Sequence, residues 1–456
     1  MTRRPAPHTP PVALTIAGSD SGGGAGIQAD VKTMESHGVF ATSAITAVTA
    51  QNTRGVERSH VLPTAEIDAQ IEAVTDDFEV GAIKTGMLAT SGIVELVVET
   101  LADYDGPAVI DPVMVATSGD RLLEPEAEAA YEALIAEATV VTPNADEAAV
   151  LTGIDPEDAD DAREVGEALV ETGAEAALVK GGHLPTEDVQ DVLVTDEGSE
   201  VFEHARVDTE ATHGSGCTLG SAIAARLARG EDLDRAVPGA LDFMERAVRY
   251  SLDVGEGPGA VHHLASLRDR AEREPTAERV QGIVERFVAE DLRELVPEVG
   301  MNVVGATPYA ESVGETAAVE GRITRTMSGI APNRGVRFGA SSHVARFLLS
   351  AREFAPDLRF AVNCRFDDDV EAALDALDAP IAEFDRGEEP ENVKAAEGST
   401  MGWGARQAFD VEETPAAVID RGEVGKEAIV KLVAPDPETV IERTLAVRDA
   451  LDGAPD

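Results

Sequence analysis

The amino-terminal part of the chain alternates short apolar runs with amphipathic segments. Apolar runs, many of them β-branched, occur at residues 12–17, 44–48, 81–83, 108–110, 139–141, 176–179 and 192–194. Most are separated by stretches with helical spacing, at 27–36, 65–76, 91–101, 126–137 and 162–171. Apolar strands that alternate with helices are typical of a mainly parallel sheet covered by helices on both faces. The pattern predicts an α/β domain over 12–263, with ligands beyond the carboxyl ends of its strands.

The pattern changes after residue 263. A charged stretch at 264–276 predicts a polar linker, and a fresh amphipathic pattern starts at 277. Helices are expected at 277–295, 343–355, 370–377 and 437–451, and strands at 301–304, 317–320, 360–363, 381–384, 416–419 and 428–433. Loops are expected at 327–338 and 385–398. Residues 277–453 therefore predict a second, smaller α/β domain, with no internal duplication of the first.

Length and charge narrow the classes of protein that this chain can be. Its 456 residues suggest two or three domains. The net charge is −49, and the acidic excess is spread along the whole chain. A dispersed excess of this kind indicates a high-salt cytoplasm, where screening removes the self-repulsion. The same charge disfavours binding to nucleic acid.

Cysteines and apolar runs exclude further classes. The chain contains two cysteines, Cys217 and Cys364, so neither a disulfide framework nor a cysteine-based zinc site is expected. No run approaches 18 apolar residues, and the first residues lack the apolar part of a secretory signal. We therefore expect a soluble cytoplasmic protein that does not bind membranes and acts on small molecules, as a homo-oligomer.

The heptapeptide from Thr212 to Thr218 is the first candidate for chemistry. It contains glycines, hydroxyls and the thiol of Cys217 directly before an apolar helical run, so it predicts a tight turn that opens a helix. The free N–H groups and the dipole of such a helix favour a bound phosphate, and the same field favours a thiolate on the first turn. A glycine-rich loop with a structural cysteine fits the same residues equally well.

A second glycine loop, at 22–26, follows the first apolar run. It matches neither the Walker A motif nor the dinucleotide-binding pattern. Asp30 comes one helical turn after this loop, and Gln51 follows the second apolar run. A carboxylate and an amide could together hold a small heterocycle with an amino group and a ring nitrogen. Alternatively, Asp30 is a helix N-terminal carboxylate stabilised by the dipole.

These motifs, taken in order, resemble a known family. The matching segments are 14–20, 22–30, 46–53, 84–88, 111–114, 142–147, 179–183 and 212–218. In this order they are similar to the bifunctional hydroxymethylpyrimidine and phosphomethylpyrimidine kinases of thiamine biosynthesis, which have a ribokinase-like fold. The resemblance implies that ATP and Mg²⁺ serve to phosphorylate a hydroxymethylpyrimidine first to its monophosphate and then to its diphosphate. Pyridoxal or a sugar is the alternative substrate, against which Cys217, Gln51 and Met87 argue.

The resemblance also implies roles for individual residues. Asp30 and Gln51 would hold the pyrimidine, in a pocket lined by Thr49 and Met87. Cys217 and Lys180 would be catalytic. The remaining roles are an anion hole at Gly214, Ser215 and Gly216, nucleotide contacts from Asn144, Lys180 and Thr212, and a metal site at Asp111 and Glu147. A surface charge at Lys180 and a solvent-facing Glu147 are the alternatives.

The second domain resembles the archaeal-type thiamine-phosphate synthase domain. The matching segments are 300–302, 320–323, 335–346 and 420–427. The resemblance implies that the pyrimidine diphosphate condenses with thiazole phosphate and that diphosphate leaves, with Arg322 and His343 as the catalytic pair. Arginines suit bidentate binding of phosphate, which makes Arg334 and Arg337 candidates for the diphosphate.

Other interpretations of the second domain stay open. His343 could be a capping or core histidine, and Arg337 could belong to a surface ion pair. The whole domain could also be a sensor that binds a thiamine-type ligand without catalysis, because relatives of it occur in thiamine-responsive repressors. A DNA-binding role is disfavoured, since a kinase-like domain precedes it and the chain is strongly acidic.

Overall fold

The structure is a computed structural model that describes residues 4, 7–114, 123, 130–390, 393, 399–411, 414–423 and 426–452. The chain divides into two compact units, Met1–Ser266 and Leu267–Asp456. The dividing point lies inside the segment 264–276 that the sequence predicts as a linker. Each unit has its own sheet and its own hydrophobic cores.

The first unit is built on an eight-stranded sheet. Its strands and those of a separate hairpin are β1 (Val12–Ala17), β2 (Phe40–Ile45), β3 (Ala47–Asn52), β4 (Gly55–Val61), β5 (Val80–Thr85), β6 (Ala108–Ile110), β7 (Val140–Val141), β8 (Ala176–Val179), β9 (Val189–Thr195) and β10 (Gly198–His204). The order in the sheet is β10-β9-β8-β7-β6-β5-β1-β2. Strands β8, β7, β6, β5, β1 and β2 run parallel to their neighbours in this order, whereas β8 pairs with β9 and β9 with β10 in antiparallel fashion. The separate hairpin is formed by β3 and β4.

Helices cover both faces of this sheet. They are α1 (Gly26–Ser36), α2 (Thr64–Thr75), α3 (Ser91–Ala102), α4 (Tyr131–Ala136), α5 (Ala145–Thr152), α6 (Ala159–Thr172), α7 (Ser215–Ala228) and α8 (Leu233–Arg249). Neighbouring strand residues point to opposite faces. Leu14 accordingly joins the core beneath α2, α3 and α6, and Ala13 joins the core beneath α1, α7 and α8. The predicted α/β class with a mainly parallel sheet is confirmed. Part of the helix predicted at 126–137 lies outside the described residues.

A buried ion pair joins four of these elements. Asp30 on α1 and Lys84 on β5 are both fully buried, with the Lys84 Nζ 3.1 and 3.2 Å from the two carboxylate oxygens. Thr15 on β1 and Ser221 on α7 each donate a hydroxyl hydrogen bond of 2.6 Å to the same carboxylate. Burial of a charge is costly unless it is paired and hydrogen-bonded, and here the carboxylate has a donor on every side.

The second unit has a seven-stranded, mostly antiparallel sheet. Its strands and those of one separate hairpin are β11 (Val303–Ala306), β12 (Thr316–Val319), β13 (Ile323–Thr326), β14 (Gly329–Pro332), β15 (Val336–Phe338), β16 (Phe360–Arg365), β17 (Ile381–Phe384), β18 (Ala417–Asp420) and β19 (Ile429–Ala434). The order is β15-β12-β11-β16-β19-β18-β17, and β13 pairs with β14. The segment 327–338, predicted as a loop, thus contains β14 and β15.

Helices complete the second unit. They are α9 (Ala265–Ala271), which spans the dividing point, α10 (Arg273–Ala289), α11 (His343–Arg352), α12 (Asp368–Ala373), α13 (Ser399–Val411) and α14 (Pro437–Asp452). Most of the predicted linker segment 264–276 is therefore helical. One face of the sheet packs on α10, α12 and α14, and the other packs on α11 and α13. Within the described parts of the chain, no helix is both long and apolar enough to span a bilayer.

The buried ion pair predicts a large effect of neutralising Asp30. In the Asp30→Asn variant, Lys84 keeps its charge without a buried counter-charge. We expect the free energy of unfolding of the first unit to fall by about 3–5 kcal/mol, the usual cost of removing one partner of such a pair. Urea unfolding followed by far-ultraviolet circular dichroism measures this loss.

The matched controls for this prediction are Glu66→Gln, an exposed carboxylate on α2, and the double variant Asp30→Asn with Lys84→Met. Glu66→Gln should change the free energy of unfolding by less than about 0.5 kcal/mol. The double variant should recover part of the loss, because no unpaired charge stays buried. A loss below about 1 kcal/mol in Asp30→Asn would show that the pair is not a structural requirement.

Candidate active sites

Five strands of the first sheet end at one edge and carry polar residues into one cavity. The glycine loop follows β1, Met87 follows β5, and Asp111, Asn144 and Lys180 come after β6, β7 and β8. They line a cavity of about 880 Å³. Parallel strands with apolar sequences bring their carboxyl ends to the same edge, which is where open α/β sheets bind ligands.

A tight turn at the start of α7 forms the middle of this cavity. Gly214 has a φ of 82°, and a Cβ at this position would lie 1.9 Å from the carbonyl oxygen of Gly24. Only glycine fits, because the turn packs against the backbone of the other glycine loop. Ser215, Gly216 and Cys217 form the first turn of α7; the Ser215 N–H donates to the Thr212 carbonyl at 3.0 Å, while the N–H groups of Gly216 and Cys217 have no partner further back in the helix. This turn is suited to bind an anion.

Asp20 organises the glycine loop, a role that the sequence analysis missed. Its carboxylate accepts hydrogen bonds from the amides of Gly22, Gly24 and Ala25, at 2.7, 2.9 and 2.8 Å. His213 Nε2 lies 3.1 Å from the same carboxylate. Burial raises the pKa of Asp20, but the hydrogen bonds outweigh burial and hold that pKa below its usual value. The Asp-Ser-Gly sequence before the loop is typical of an Asx turn and could have revealed this role.

The structure contradicts the predicted contact between Asp30 and the substrate. The Asp30 side chain points to β1, β5 and α7, where Thr15, Ser221 and Lys84 occupy both carboxylate oxygens. It has no exposed surface and does not line the cavity. The physical reason is the direction of α1, whose buried side faces α7 and not the ligand. Lys84, which the sequence analysis left without a role, is its counter-charge.

The other predicted acceptor residues divide into two groups. Gln51 and Met87 line the cavity, as predicted. Gln51 lies at the end of β3, with its side chain 3.3 Å from the Thr49 hydroxyl and 3.5 Å from His213. Thr49 is 5 % exposed and is not part of the lining, because its hydroxyl donates to the carbonyl of Ser19 at 2.7 Å. Thr49 therefore supports the loop from behind.

Lys180 lies between two carboxylates at the other end of the cavity. Its Nζ is 3.0 Å from Asp111 and 3.6 Å from Glu147. Burial by itself lowers the pKa of Lys180, but the two carboxylates outweigh burial and raise it above the usual range. Burial raises the pKa of Glu147 against the opposing effect of Lys180. Glu147 also forms a capping box with Asn144 at the start of α5, so it does not simply face solvent.

The predicted metal residues leave one oxygen available. Asp111 is 1 % exposed, and its Oδ2 has no hydrogen-bond partner among the described residues. Within those residues, no cluster of three or more histidine, cysteine or acidic side chains could hold a metal ion by itself. Mg²⁺ commonly takes only one or two carboxylates and completes its shell with water and phosphate oxygens. Asp111 and Glu147 fit that limited role.

The thiol of Cys217 is not activated, contrary to the sequence-based expectation. Although the helix N-terminus favours a thiolate, the surrounding protein raises the pKa of Cys217 to about 11, mainly through burial. Lys84 opposes this rise, while Asp30 and Asp111 add to it. At neutral pH the group is a thiol, which can contact an anion but cannot accept a proton efficiently.

In the second unit, Arg322 has an unusual backbone conformation and His343 begins a helix. Arg322 has a φ of 72°, which is a left-handed backbone conformation that residues other than glycine rarely adopt. Its side chain lies against Gly300, and its guanidinium donates to the carbonyl of Val299. His343 is the first residue of α11 and is exposed. Burial of part of the ring and the positive charges of Arg322, Arg346, Arg386 and Lys431 lower the pKa of His343, which favours the neutral imidazole.

Arg334 and Arg337 lie at the surface of the second unit. Both contact the carboxylate of Glu320, at 3.4 and 3.1 Å, and their side chains are 71 % and 60 % exposed. This arrangement matches the surface ion pair that was the alternative interpretation of Arg337. Their binding of diphosphate stays a prediction.

Comparison with known proteins agrees with this arrangement. Residues 20–262 match the family model "Phosphomethylpyrimidine kinase", and residues 279–446 match "Thiamine-phosphate synthase ThiN". A hydroxymethylpyrimidine/phosphomethylpyrimidine kinase of Streptomyces coelicolor is 48% identical over 265 residues, which cover 58% of this chain and 98% of that protein. A probable thiamine biosynthetic bifunctional enzyme of rice chloroplasts is 45% identical over 273 residues, which cover 58% of this chain and 49% of that protein.

Solved structures show the same fold for the first unit. The ADP complex of Bacillus subtilis pyridoxal kinase has a TM-score of 0.53 at 37% identity and covers 57% of this chain and 99% of its own. Pyridoxal kinase from Staphylococcus aureus in complex with ADP has a TM-score of 0.54 at 31% identity and covers 57% of this chain and 96% of its own. Fold and cavity thus define a small-molecule kinase of the ribokinase-like class.

Within that class the sequence match is more specific. The chain belongs to the phosphomethylpyrimidine kinase family, and its second unit carries a thiamine-phosphate synthase domain. It is thus a pyrimidine kinase of thiamine biosynthesis fused to a second domain of the same pathway.

The raised pKa of Cys217 predicts slow alkylation at neutral pH. The rate constant for iodoacetamide should rise about tenfold per pH unit from 7 to 9, because only the thiolate reacts and its fraction grows at that rate below the pKa. Mass spectrometry of the Cys217 peptide measures the rate. Cys364 is the internal control, since burial raises its pKa to about 12. A plateau of the Cys217 rate near pH 8 would contradict the account and restore the activated thiolate.

Proposed function

We propose that the first unit transfers the γ-phosphoryl group of ATP to the hydroxyl of a hydroxymethylpyrimidine, and then phosphorylates the resulting monophosphate. The observation that carries this proposal is the position of Lys180 at the anion-binding turn. A Cβ at Gly216 would lie 3.2 Å from the Lys180 Nζ, so the cation and the helix N-terminus face the same point. Both features stabilise charge that moves onto transferred phosphoryl oxygens.

The two ends of the cavity suit two different ligands. On one side of the turn, Gln51 and Met87 offer an amide and a flexible apolar surface, which suit an aminopyrimidine ring. Asn144, Lys180 and Thr212 line the same cavity, and so do the apolar residues Leu241, Met244 and Val248. That apolar part suits a nucleotide base. We expect the acceptor hydroxyl and the γ-phosphate to meet at the anion turn.

Phosphoryl transfer in this site requires positioning and charge neutralisation. Lys180 and the first-turn amides of α7 would hold the phosphoryl oxygens while the acceptor oxygen bonds to phosphorus and the bond to ADP breaks. Asp111 and Glu147 would hold Mg²⁺, which when bound neutralises charge on the nucleotide phosphates. Cys217, as a thiol, contributes a weak hydrogen bond to the anion, and it does not take the proton of the acceptor hydroxyl. That proton leaves with the phosphate product or with solvent.

For the second unit, we propose catalysis and not ligand sensing. The left-handed backbone of Arg322 supports this choice, because strained conformations of this kind concentrate at functional sites. The neutral imidazole of His343, next to several cations, also suits a site for a multiply charged diphosphate ester. The proposed reaction joins the pyrimidine diphosphate to thiazole phosphate and releases diphosphate.

Two variants of the full-length chain test whether these activities belong to separate sites. In concentrated KCl, Lys180→Met should lower the kinase kcat at least ~100-fold and leave the synthase rate unchanged, because removal of a charge aimed at the transition state has an effect of that size. His343→Gln should do the reverse. Phosphorylation of hydroxymethylpyrimidine by ATP and condensation of purified pyrimidine diphosphate with thiazole phosphate are measured on the same preparations.

Each variant is the control for the other, since each must keep the activity of the unmodified unit. Pyridoxal serves as the contrasting acceptor and should show at least ~10-fold lower kcat/KM, because its ring lacks the amino group that pairs with Gln51. A preference for pyridoxal would contradict the proposed kinase substrate. A wild-type chain that binds thiamine-type ligands but does not condense the two precursors would favour the sensing function.

A further inference from the structure

One face of the second sheet changes from apolar to polar at one end. The apolar residues on this face belong to the core beneath α11 and α13, and they are Ala318, Val304, Ala361, Val433 and Val418. Two residues away on each strand, and therefore on the same face, come five polar residues at neighbouring strand positions. They are Glu320, Asn302, Asn363, Lys431 and Asp420, on β12, β11, β16, β19 and β18 or directly beside them.

The two asparagines of this row have structural partners. Asn302 exchanges hydrogen bonds with the backbone of Val319, at 3.0 and 3.1 Å. Asn363 accepts from the amide of Asn302 at 2.7 Å and donates to the carbonyl of Gly300 at 3.2 Å. These bonds hold β11, β12 and β16 together at the polar end. The asparagines therefore have a structural role at this end of the sheet. The role of its charged residues is a separate question.

Lys431 is a buried lysine with hydrogen-bond donors to spare; burial lowers its pKa, and the charge of Asp420 opposes this effect. It is 3 % exposed and lies over the rings of Phe347 and Phe384, at 5.1 and 5.5 Å from their centroids. Its carboxylate partner is Asp420, at 3.4 Å. Arg386 already binds both oxygens of Asp420, at 2.8 and 2.7 Å. An ammonium has three donors, and across the described residues Asp420 is the sole hydrogen-bond acceptor of Lys431.

This lysine lies beneath the start of α11. Phe347 follows His343 by four residues, so the two side chains share one face of the helix. Arg346 is on the next turn from His343; its backbone N–H donates to the Ser342 carbonyl, and its side chain makes no hydrogen bond or ion pair with the described residues. Arg322 contacts a carbonyl and no described carboxylate. The chain has 86 acidic and 37 basic residues, so carboxylates are abundant. Cations that nevertheless lack a described carboxylate partner are suited to bind an anionic ligand.

We propose that Lys431, Arg346 and Arg322 form the subsite that holds the diphosphate group in the second unit, with Asp420 and Arg386 positioning Lys431. The inference rests on the proposed synthase function and replaces the exposed Arg334 and Arg337 as diphosphate ligands. Arg334 and Arg337 share the charge of Glu320, whereas the subsite has a net positive charge. Lys431 is buried and Arg346 is half-buried, so their attraction for an anion is screened less by salt than that of a fully exposed cation.

The subsite explains how the leaving group is stabilised. The bond between the pyrimidine methylene carbon and the diphosphate oxygen breaks, and its electron pair goes to that oxygen. The lone pair of the thiazole nitrogen forms the new bond to the same carbon. The diphosphate gains a negative charge in this step, and the three cations lie where that charge develops. Atoms and electrons balance without a further reactant.

Binding of inorganic diphosphate to the full-length chain tests the subsite directly. Calorimetric titrations are made in a Lys180→Met background, which removes the cation of the first cavity. Lys431→Met should weaken the affinity by ~10-fold or more, and Arg346→Gln by about 5-fold, because each loses a hydrogen bond to a charged group. Arg334→Gln and Arg337→Gln are the matched controls and should stay within about 2-fold.

The outcomes separate the subsite from the synthase function. The subsite is supported if the Lys180→Met chain binds diphosphate and the further changes Lys431→Met and Arg346→Gln weaken that binding. This holds even where no condensation is measured. If condensation occurs but neither variant changes the affinity or the inhibition by diphosphate, the subsite is wrong. Loss of affinity in Arg334→Gln or Arg337→Gln alone would also overturn it. Because Arg346 lies on the outside of the core, Arg346→Gln decides the matter if Lys431→Met does not fold.

Discussion

The first unit depends on the ion pair between Asp30 and Lys84 at the floor of its active site. The pair joins α1, β5, β1 and α7 at one point, and these elements flank the glycine loop, Met87 and the anion-binding turn. A Cβ at Gly220 would lie 3.4 Å from the Lys84 Cε, so α7 packs closely on this lysine. The position of the turn at Gly214 is therefore fixed by two contacts. The ion pair packs against α7, and the backbone of Gly24 packs against Gly214 itself.

The two units use the same physical means for different chemistry. In the proposed functions, both units bind phosphate groups in a chain whose net charge is −49. The first unit places Lys180 beside a helix N-terminus and balances it with Asp111 and Glu147. In the second, the charges of Arg322, Arg346 and Lys431 act on His343, and among the described residues only Lys431 of these three has a carboxylate partner. A dispersed surface excess of acid thus coexists with local cations, because fields in partly buried sites are set by near neighbours.

Sequence patterns could predict the fold class and the motifs that converge on the first cavity, because apolar strands specify a parallel sheet and their ends must meet. They could not predict the direction of a side chain on a helix near the site. Asp30 has the right spacing from the glycine loop, yet the face of α1 on which it lies points to α7. The hairpin at β13 and β14 and the helical linker were missed because polar residues in both have no clear period. Lys431 is a charged residue inside the otherwise apolar sequence of β19. This exception could have indicated a functional lysine in the second unit.

The central claim is that one chain contains two independent phosphate sites that act in succession. The most direct measurement follows the wild-type chain with hydroxymethylpyrimidine, thiazole phosphate, ATP and Mg²⁺ in concentrated KCl. The account predicts thiamine phosphate, with two ATP consumed and one diphosphate released for each molecule formed, as two phosphoryl transfers and one condensation require. Accumulation of the pyrimidine diphosphate without thiamine phosphate would contradict it.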